Sequence, residues 1–177
     1  QEKRVGAIGY GIQLGPNVFP MLKRIGINQR VLENSGQPPA ISMLDALDGR
    51  EIVTIRTQEA FKDRFKYPYL VIHRADLHQI LVDACQSHRD LILRPGSRVS
   101  GYEDAGDSVR VKLESGEIKE GLCLIGADGL RSNIRAQSQR DGDPQPVGYV
   151  AHRTIIPMAD VPLGARRDEV LMWAGPG

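Results

Sequence analysis

An apolar run, Leu122-Cys123-Leu124-Ile125, passes into Gly126-Ala127-Asp128-Gly129 and then into a helix-like segment opening at Ser132. A short continuous apolar run bounded by glycine reads as a strand buried on both faces. Gly126 and Gly129 allow a tight turn and a close approach of backbone to a ligand. Ser132 suits an N-cap, so helix N–H donors would face the crevice beyond the strand's carboxyl end. In open α/β sheets that crevice holds nucleotide-type ligands. An ordinary strand-turn-helix with an Asp in the turn satisfies the same pattern, so the segment alone leaves both readings open.

Bulk properties narrow the class. The 177 residues suffice for one domain of common size or parts of two interleaved ones. A hydrophobic content of 41% with 25% charged residues is that of a globular protein. The formal net charge of +1 gives no electrostatic case for nucleic acid or an anionic membrane surface. No run approaches the roughly 18 apolar residues of a membrane span, and no signal peptide opens the chain, so a cytoplasmic location is expected. Cys85 and Cys123 lie among apolar residues and read as buried thiols of a reducing compartment. His73, His78, His88 and His152 show no metal-ligand spacing. No Ser-His-Asp or paired-carboxylate constellation emerges, so no catalytic residue is assigned.

Along the chain, the glycine-rich loop Gly6–Gly15 precedes a predicted helix from about Pro16 to Ile25, in which an interior Pro20 is a conflict. Asp48-Gly49 between two apolar runs, Ile41–Leu47 and Ile52–Arg56, predicts a hairpin. Tyr69–Ile72 is an apolar run ending at His73-Arg74. From Ala75 to Ser87, the positions of Leu77, Ile80, Leu81, Ala84 and Cys85 predict an amphipathic helix. Segments 98–103, 108–114 and 117–121 predict an antiparallel meander returning into the strand at Leu122. After a polar linker, Gln137–Pro146, strands are predicted at Val147–Ile156 and Glu169–Trp173, sharing a second sheet with the hairpin.

Three motifs in this order resemble those of the class A FAD-dependent aromatic hydroxylases, the family with the p-hydroxybenzoate hydroxylase fold. They are Gly9-Tyr10-Gly11-Ile12-Gln13-Leu14-Gly15-Pro16-Asn17, His73-Arg74-Ala75-Asp76-Leu77, and Gly126-Ala127-Asp128-Gly129 with Ser132 and Arg135. Within the family, Val71-Ile72-His73-Arg74 and Trp173-Ala174-Gly175-Pro176 are most similar to the salicylate hydroxylase and 3-hydroxybenzoate 6-hydroxylase group. Tyr10, where a small residue is usual, and Pro20 depart from that group.

The resemblance implies an α/β fold: part of an FAD-binding Rossmann-like domain of the GR2 type with an antiparallel β-meander, plus part of a β-sheet substrate domain. Residues 1–40 and 70–140 would belong to the former, and 41–69 and 147–177 to the latter. It implies FAD as cofactor, NADH or NADPH as co-substrate, and O₂ with a small phenolic acid as substrates. A homodimer is the expected assembly of the parent enzyme. The implied cofactor-binding residues are Arg74, Gly11, Ile12, Gln13, Val99 and Asp128. Arg74 would hold a pyrophosphate or flavin-linked oxygen through charge-assisted hydrogen bonds, although pairing with Asp76 or solvent suits its position as well. Gly11–Gln13 would lie against the isoalloxazine ring, and Val99 near the adenine-ribose end. Asp128 would act within its loop or through ribose, since a carboxylate does not approach a pyrophosphate directly. The family's Gly-x-Gly-x-x-Gly and Gly-Asp-Ala-x-His motifs are not in the sequence. The chain is therefore expected to be an interior stretch of roughly the first half of such an enzyme, and alone neither catalytic nor a tight flavin binder. The competing readings are a nicotinamide-dependent dehydrogenase, which lacks its fingerprint here, and a non-catalytic fragment or partner-binding module.

Overall fold

A computed structural model describes residues 10–150, 154–165 and 167–175. The expectations that fall on Gly6–Gly9, His152, Arg166 and Pro176 lie outside the described residues. In chain order the elements are β1 (Gly11–Leu14), α1 (Phe19–Arg24), α2 (Asn28–Glu33), β2 (Ser35–Gly36), β3 (Ala40–Asp45), β4 (Glu51–Arg56), α3 (Glu59–Phe65), β5 (Leu70–His73), α4 (Arg74–Ser87), β6 (Val99–Asp104), β7 (Val109–Leu113), β8 (Ile118–Gly121), α5 (Asn133–Gln139) and β9 (Val170–Ala174). They form two compact units, one holding residues 93–150 and the other residues 10–92 with 154–165 and 167–175.

In the larger unit, β5 is the central strand of a small antiparallel sheet with β1 and β2 on either side. Leu70 and Ile72 point from β5 into a core with Phe19, Leu22, Ile27, Val31 and Ile80. Leu70 and Val31 are fully inaccessible to solvent. Phe19 stacks on Tyr67 with ring centroids 5.1 Å apart, an arrangement that adds to the area both rings bury. Helix α4 contributes Ile80, with Leu77 and Ala84 packed at the margin, which is part of the predicted stripe; Leu81 is exposed and Cys85 only half-buried. The Arg30–Asp83 ion pair, 2.6 Å, links α2 to α4 at the surface. There it adds little net stability.

The hairpin β3–β4 forms around the Asp48-Gly49 turn, and β9 joins β3 in parallel, with Ile41 opposite both Ile55 and Val170. Between these strands Ser42 is buried, and it is fully satisfied: its hydroxyl donates to Glu169 at 2.6 Å and accepts from Thr54 at 2.9 Å.

The smaller unit carries the meander β6–β7–β8 and helix α5. Two amides one helical turn apart fasten α5 to the β6 backbone. Asn133 donates to the Val99 carbonyl at 3.2 Å, and the Gln137 side chain both accepts from Tyr102 N–H and donates to Tyr102 C=O.

Several expectations are corrected. The glycine-rich stretch is not wholly loop: Gly11–Leu14 is a strand, because Leu70–His73 offers it a complete antiparallel partner. The helix predicted from Pro16 to Ile25 is a 3₁₀ turn, Pro16–Val18, followed by α1. Pro20 then falls in the first turn of α1, where the missing N–H costs nothing. Leu122–Ile125 is not a buried strand. Among the described residues no strand pairs with it, and Leu122 and Ile125 are 90% and 84% exposed. Cys123 is consequently exposed, and Cys85 only half-buried. The described part of Val147–Ile156 forms no strand either, and Val147, Tyr149 and Val150 are all largely exposed. Helices α2 and α3 were not anticipated, being one to two turns long and without strong periodicity.

Leu70 anchors the central strand, so Leu70→Ala should destabilise the larger unit by about 2–5 kcal/mol. The exposed Leu47→Ala should stay within about 0.5 kcal/mol of the parent. Urea unfolding of both variants measures the contrast, and equal midpoints would place the core elsewhere.

Candidate functional site

The predicted cofactor residues fall into two groups, one in each unit. Gly11, Ile12, Gln13 and Arg74 converge at the β1–β5 pair. Gly11 lies directly opposite His73, and Arg74 N–H donates to the Tyr10 carbonyl at 2.9 Å. The apolar-to-charged switch at Ile72-His73-Arg74 thus ends β5 and starts α4 without a loop. Among the described residues strand β1 is an edge strand, so one side of its backbone faces away from the ladder. Gly11 and Gln13 are exposed along it, as is the Arg74 side chain. A Cβ built on Gly11 would meet nothing within 4 Å. Among the described residues the sheet face at Gly11 and the free edge of β1 are thus both accessible to a flat ligand, with Arg74 at one end. These residues fit a flavin nucleotide.

Val99 and Asp128 lie in the smaller unit, and both are engaged there. The Val99 carbonyl accepts from Asn133. Asp128 accepts from the Ser132 hydroxyl through one carboxylate oxygen and from Ile134 N–H, 3.3 Å, through the other. Ser132 in turn accepts from Arg135 N–H at 2.9 Å, acting as the predicted N-cap. The Ser132 hydroxyl, aided by backbone N–H groups of the helix start, holds the Asp128 carboxyl below the usual aspartate range. Both glycines of the turn have a geometric role. Gly129 adopts φ +86°, a left-handed conformation that L side chains rarely adopt. At Gly126 a Cβ would sit 2.9 Å from Ile134 Cγ2, so the chain passes the helix with no room for a side chain.

Sequence reasoning missed the Asn133–Gln137 pair that reads the β6 edge. Its only signal was the i, i+4 spacing of two amides just after a cap, which usually denotes a solvated face. It also missed the part-buried Ser42–Glu169 contact, which joins residues distant in sequence. Glu169 is held below the usual carboxylate range, first by the Ser42 hydroxyl and then by Arg167. Among the described residues, no cluster of His, Cys, Asp and Glu could hold a metal ion, and no helix is long and apolar enough to cross a membrane.

An α/β chain with a glycine-opened edge strand paired to a central strand that runs through His-Arg into a helix, and an Asp-Gly turn before a second, Ser-capped helix, has the features of a flavin-type oxygenase segment. The comparisons specify the family. The chain is 36% identical over 173 residues to 3-hydroxybenzoate 6-hydroxylase 1 of Aquipseudomonas alcaligenes, covering 98% of this chain and 44% of that enzyme. It is 37% identical over 172 residues to the 3-hydroxybenzoate 6-hydroxylase of Klebsiella oxytoca, covering 97% and 43%. Among solved structures, Klebsiella pneumoniae HpxO complexed with FAD and uric acid superposes with a TM-score of 0.63 at 25% identity, over 75% of this chain and 33% of that one. The 2,6-dihydroxypyridine-3-hydroxylase of Arthrobacter nicotinovorans shares the fold, with a TM-score of 0.62 at 18% identity over 82% and 33%. No family model matches the chain. Its homologues over nearly its full length are thus FAD-dependent aromatic hydroxylases. It spans somewhat less than half the length of the curated relatives it matches.

The Asp128–Ser132 pair sets a pH response. A carboxyl whose folded-state pKa is depressed stabilises the fold above its unfolded pKa, and that contribution is lost as pH falls through the folded value. In an NMR titration Asp128 should therefore titrate below an ordinary aspartate, and Ser132→Ala should move it upward. An Asp128 that titrates normally in the unmodified chain would mean the pair does not form. Gly126→Ala should destabilise the same turn, with partial rescue by Ile134→Ala, which removes the Cγ2 methyl that the new Cβ would meet at 2.9 Å.

Proposed function

We propose that this chain is part of an FAD-dependent monooxygenase that hydroxylates a phenolic aromatic acid of the hydroxybenzoate or salicylate type, using NADH or NADPH and O₂. The observation that carries the reading is the open Gly11–Gln13 edge beside Arg74, in a chain whose relatives include hydroxylases named for 3-hydroxybenzoate. When bound, FAD supplies the redox chemistry: it passes electrons from the nicotinamide to O₂, one oxygen atom of which enters the ring.

The chain's own residues bind and orient. Arg74, at the start of α4, presents a delocalised cation with several N–H donors in a planar fork, suited to the pyrophosphate or a flavin-linked oxygen. Gly11, Ile12 and Gln13 offer backbone to the flat face or edge of the isoalloxazine, and the absent side chain at Gly11 permits the approach. Asp128 and Val99 act through the frame they belong to. Their bonds to Ser132, Ile134 and Asn133 hold the turn and the strand end that would meet the adenosine portion. Residues 1–40 and 70–140 are assigned to the FAD-binding domain, and residues 41–69 and 147–177 to the sheet of the substrate domain. We further propose that the parent enzyme works in the cytoplasm as a homodimer.

The test uses the longer protein that contains this chain. It should purify with a flavin absorbance spectrum and oxidise NAD(P)H faster when a hydroxybenzoate is added. Absence of flavin, or of ring-stimulated oxidation, would overturn the proposal. Arg74→Ala in that protein should lower FAD affinity about 10- to 150-fold, the loss of about 1.5–3 kcal/mol from one charge-assisted contact, with little change in folding. Unchanged flavin occupancy after dialysis would leave Arg74 with a structural role only.

A further inference from the structure

We infer that His73 is a positioning residue whose neutral imidazole caps α4 and fixes the Arg74–Tyr10 junction, so that the edge facing the flavin is assembled only while His73 is uncharged. The ligand in this inference rests on the function proposed above; the cap does not.

His73 ends β5 and precedes α4, with extended backbone at φ −68°, ψ 131°. Its Nδ1 accepts from Ala75 N–H at 3.2 Å, satisfying one of the unpaired donors of the first helical turn. A ring nitrogen that accepts carries no proton, so the neutral ring has its hydrogen on Nε2; in the charged ring both nitrogens are donors. Protonation would thus set an Nδ1–H against the Ala75 N–H. It would also place a cation at the positive end of the helix dipole. Both effects open the cap.

The position makes the cap matter. Across the strand pair His73 faces Gly11, and its neighbour Arg74 donates its N–H to Tyr10. One residue therefore joins the end of the central strand, the start of the helix and the edge strand. Serine, threonine, aspartate and asparagine are the preferred N-caps, and none of them changes charge between pH 5 and 8. A histidine here adds a response to pH that those residues lack.

The charged and titratable groups around it do not substitute for the cap. On α4 they are Arg74, Asp76 and His78, and Asp76 is the acidic residue of the first turn. On the facing side Gly11–Leu14 carries no ionisable side chain, with the Tyr10 phenol next to it; Ser35-Gly36 on the other side of β5 carries none. From α2, Arg30 is committed to Asp83, and Glu33 receives a hydrogen bond from Gln29.

The cap is tested on this chain by ¹⁵N-resolved NMR of the imidazole and by hydrogen exchange of the Ala75 amide, corrected for intrinsic rates. The expected result is a proton on Nε2 at pH 8 and a fall of about fivefold in Ala75 protection between pH 8 and pH 5. His73→Asn should keep its protection at both pH values, and His73→Ala should lack it at both. A proton on Nδ1 at pH 8, or protection indifferent to pH or to His73→Ala, would overturn the inference. If His73→Ala fails to fold, the comparison with His73→Asn decides alone. In the longer protein, FAD retention should fall from pH 8 to pH 5.5 with His73 and stay flat with Asn; an identical pH dependence in both would overturn the positioning role. A protein that shows the capping behaviour but never binds flavin would sink the flavin reading and the role toward it, while leaving the cap in place.

Discussion

Strand β5 passing straight into α4 is the constraint on which the larger unit depends. The strand is only four residues long, but it is bounded on both edges and its alternate side chains are buried. Leu70 and Ile72 fill the core from the sheet side, while Ile80 fills it from the helix side. No intervening loop absorbs error in their relative placement. The first helical N–H groups must then find partners at once, and they do: Ala75 at His73, and Arg74 at Tyr10. That last bond transmits the arrangement to β1, whose exposed backbone is the candidate ligand edge. Packing and candidate site are thus two ends of one short run of chain, Leu70–Ala75.

The smaller unit is held together differently. Among its described residues Leu113 is the buried hydrophobic side chain, so apolar burial contributes little. Backbone ladders and side-chain-to-backbone hydrogen bonds take that place: Asn133 and Gln137 on β6, and Asp128 and Ser132 on the start of α5. Each lies at the exposed surface, so its net contribution to stability is modest. Such bonds are directional, so they fix the geometry of the Asp-Gly turn more sharply than they stabilise it. That suits a segment whose contribution is a shaped backbone.

What was legible in the sequence follows from the range over which each signal acts. The Asp48-Gly49 hairpin, the meander and the Ser132 cap are local, set by turn chemistry and period within a dozen residues, and they stand in the structure. The α4 stripe is local too. The errors concern pairing with distant segments. Gly11–Leu14 reads as loop because nothing within it reveals that Leu70–His73 will lie alongside. Leu122–Ile125 reads as a buried strand because four apolar residues look identical with or without a partner, and only the ladder distinguishes them. The same limit hid the Ser42–Glu169 contact, which spans 127 positions in the chain.

The candidate site was legible as residue types and not as roles. The motifs placed Arg74 at a strand-to-helix junction and Asp128 in a turn, as the structure has them, while Gly11–Gln13, read as loop, lies on strand β1. Only the structure shows that the Asp128 carboxylate and the Val99 carbonyl are already bonded within their own unit, while the Gly11 edge opens outward. The electrostatics point the same way. Asp128, Glu169, Asp83 and Glu117 are all held below the usual carboxylate range, each chiefly by a hydrogen bond from a neighbouring side chain: Ser132, Ser42, Arg30 and Lys119 respectively. A carboxyl that delivers a proton near neutral pH needs the opposite displacement, upward by burial or by a second negative charge. These four are stabilised anions, suited to fixing helix starts and sheet edges. Within the larger unit, β5 sets the Arg74 start of α4 beside the β1 backbone, and it cannot shift without disturbing the core that Leu70 and Ile72 fill.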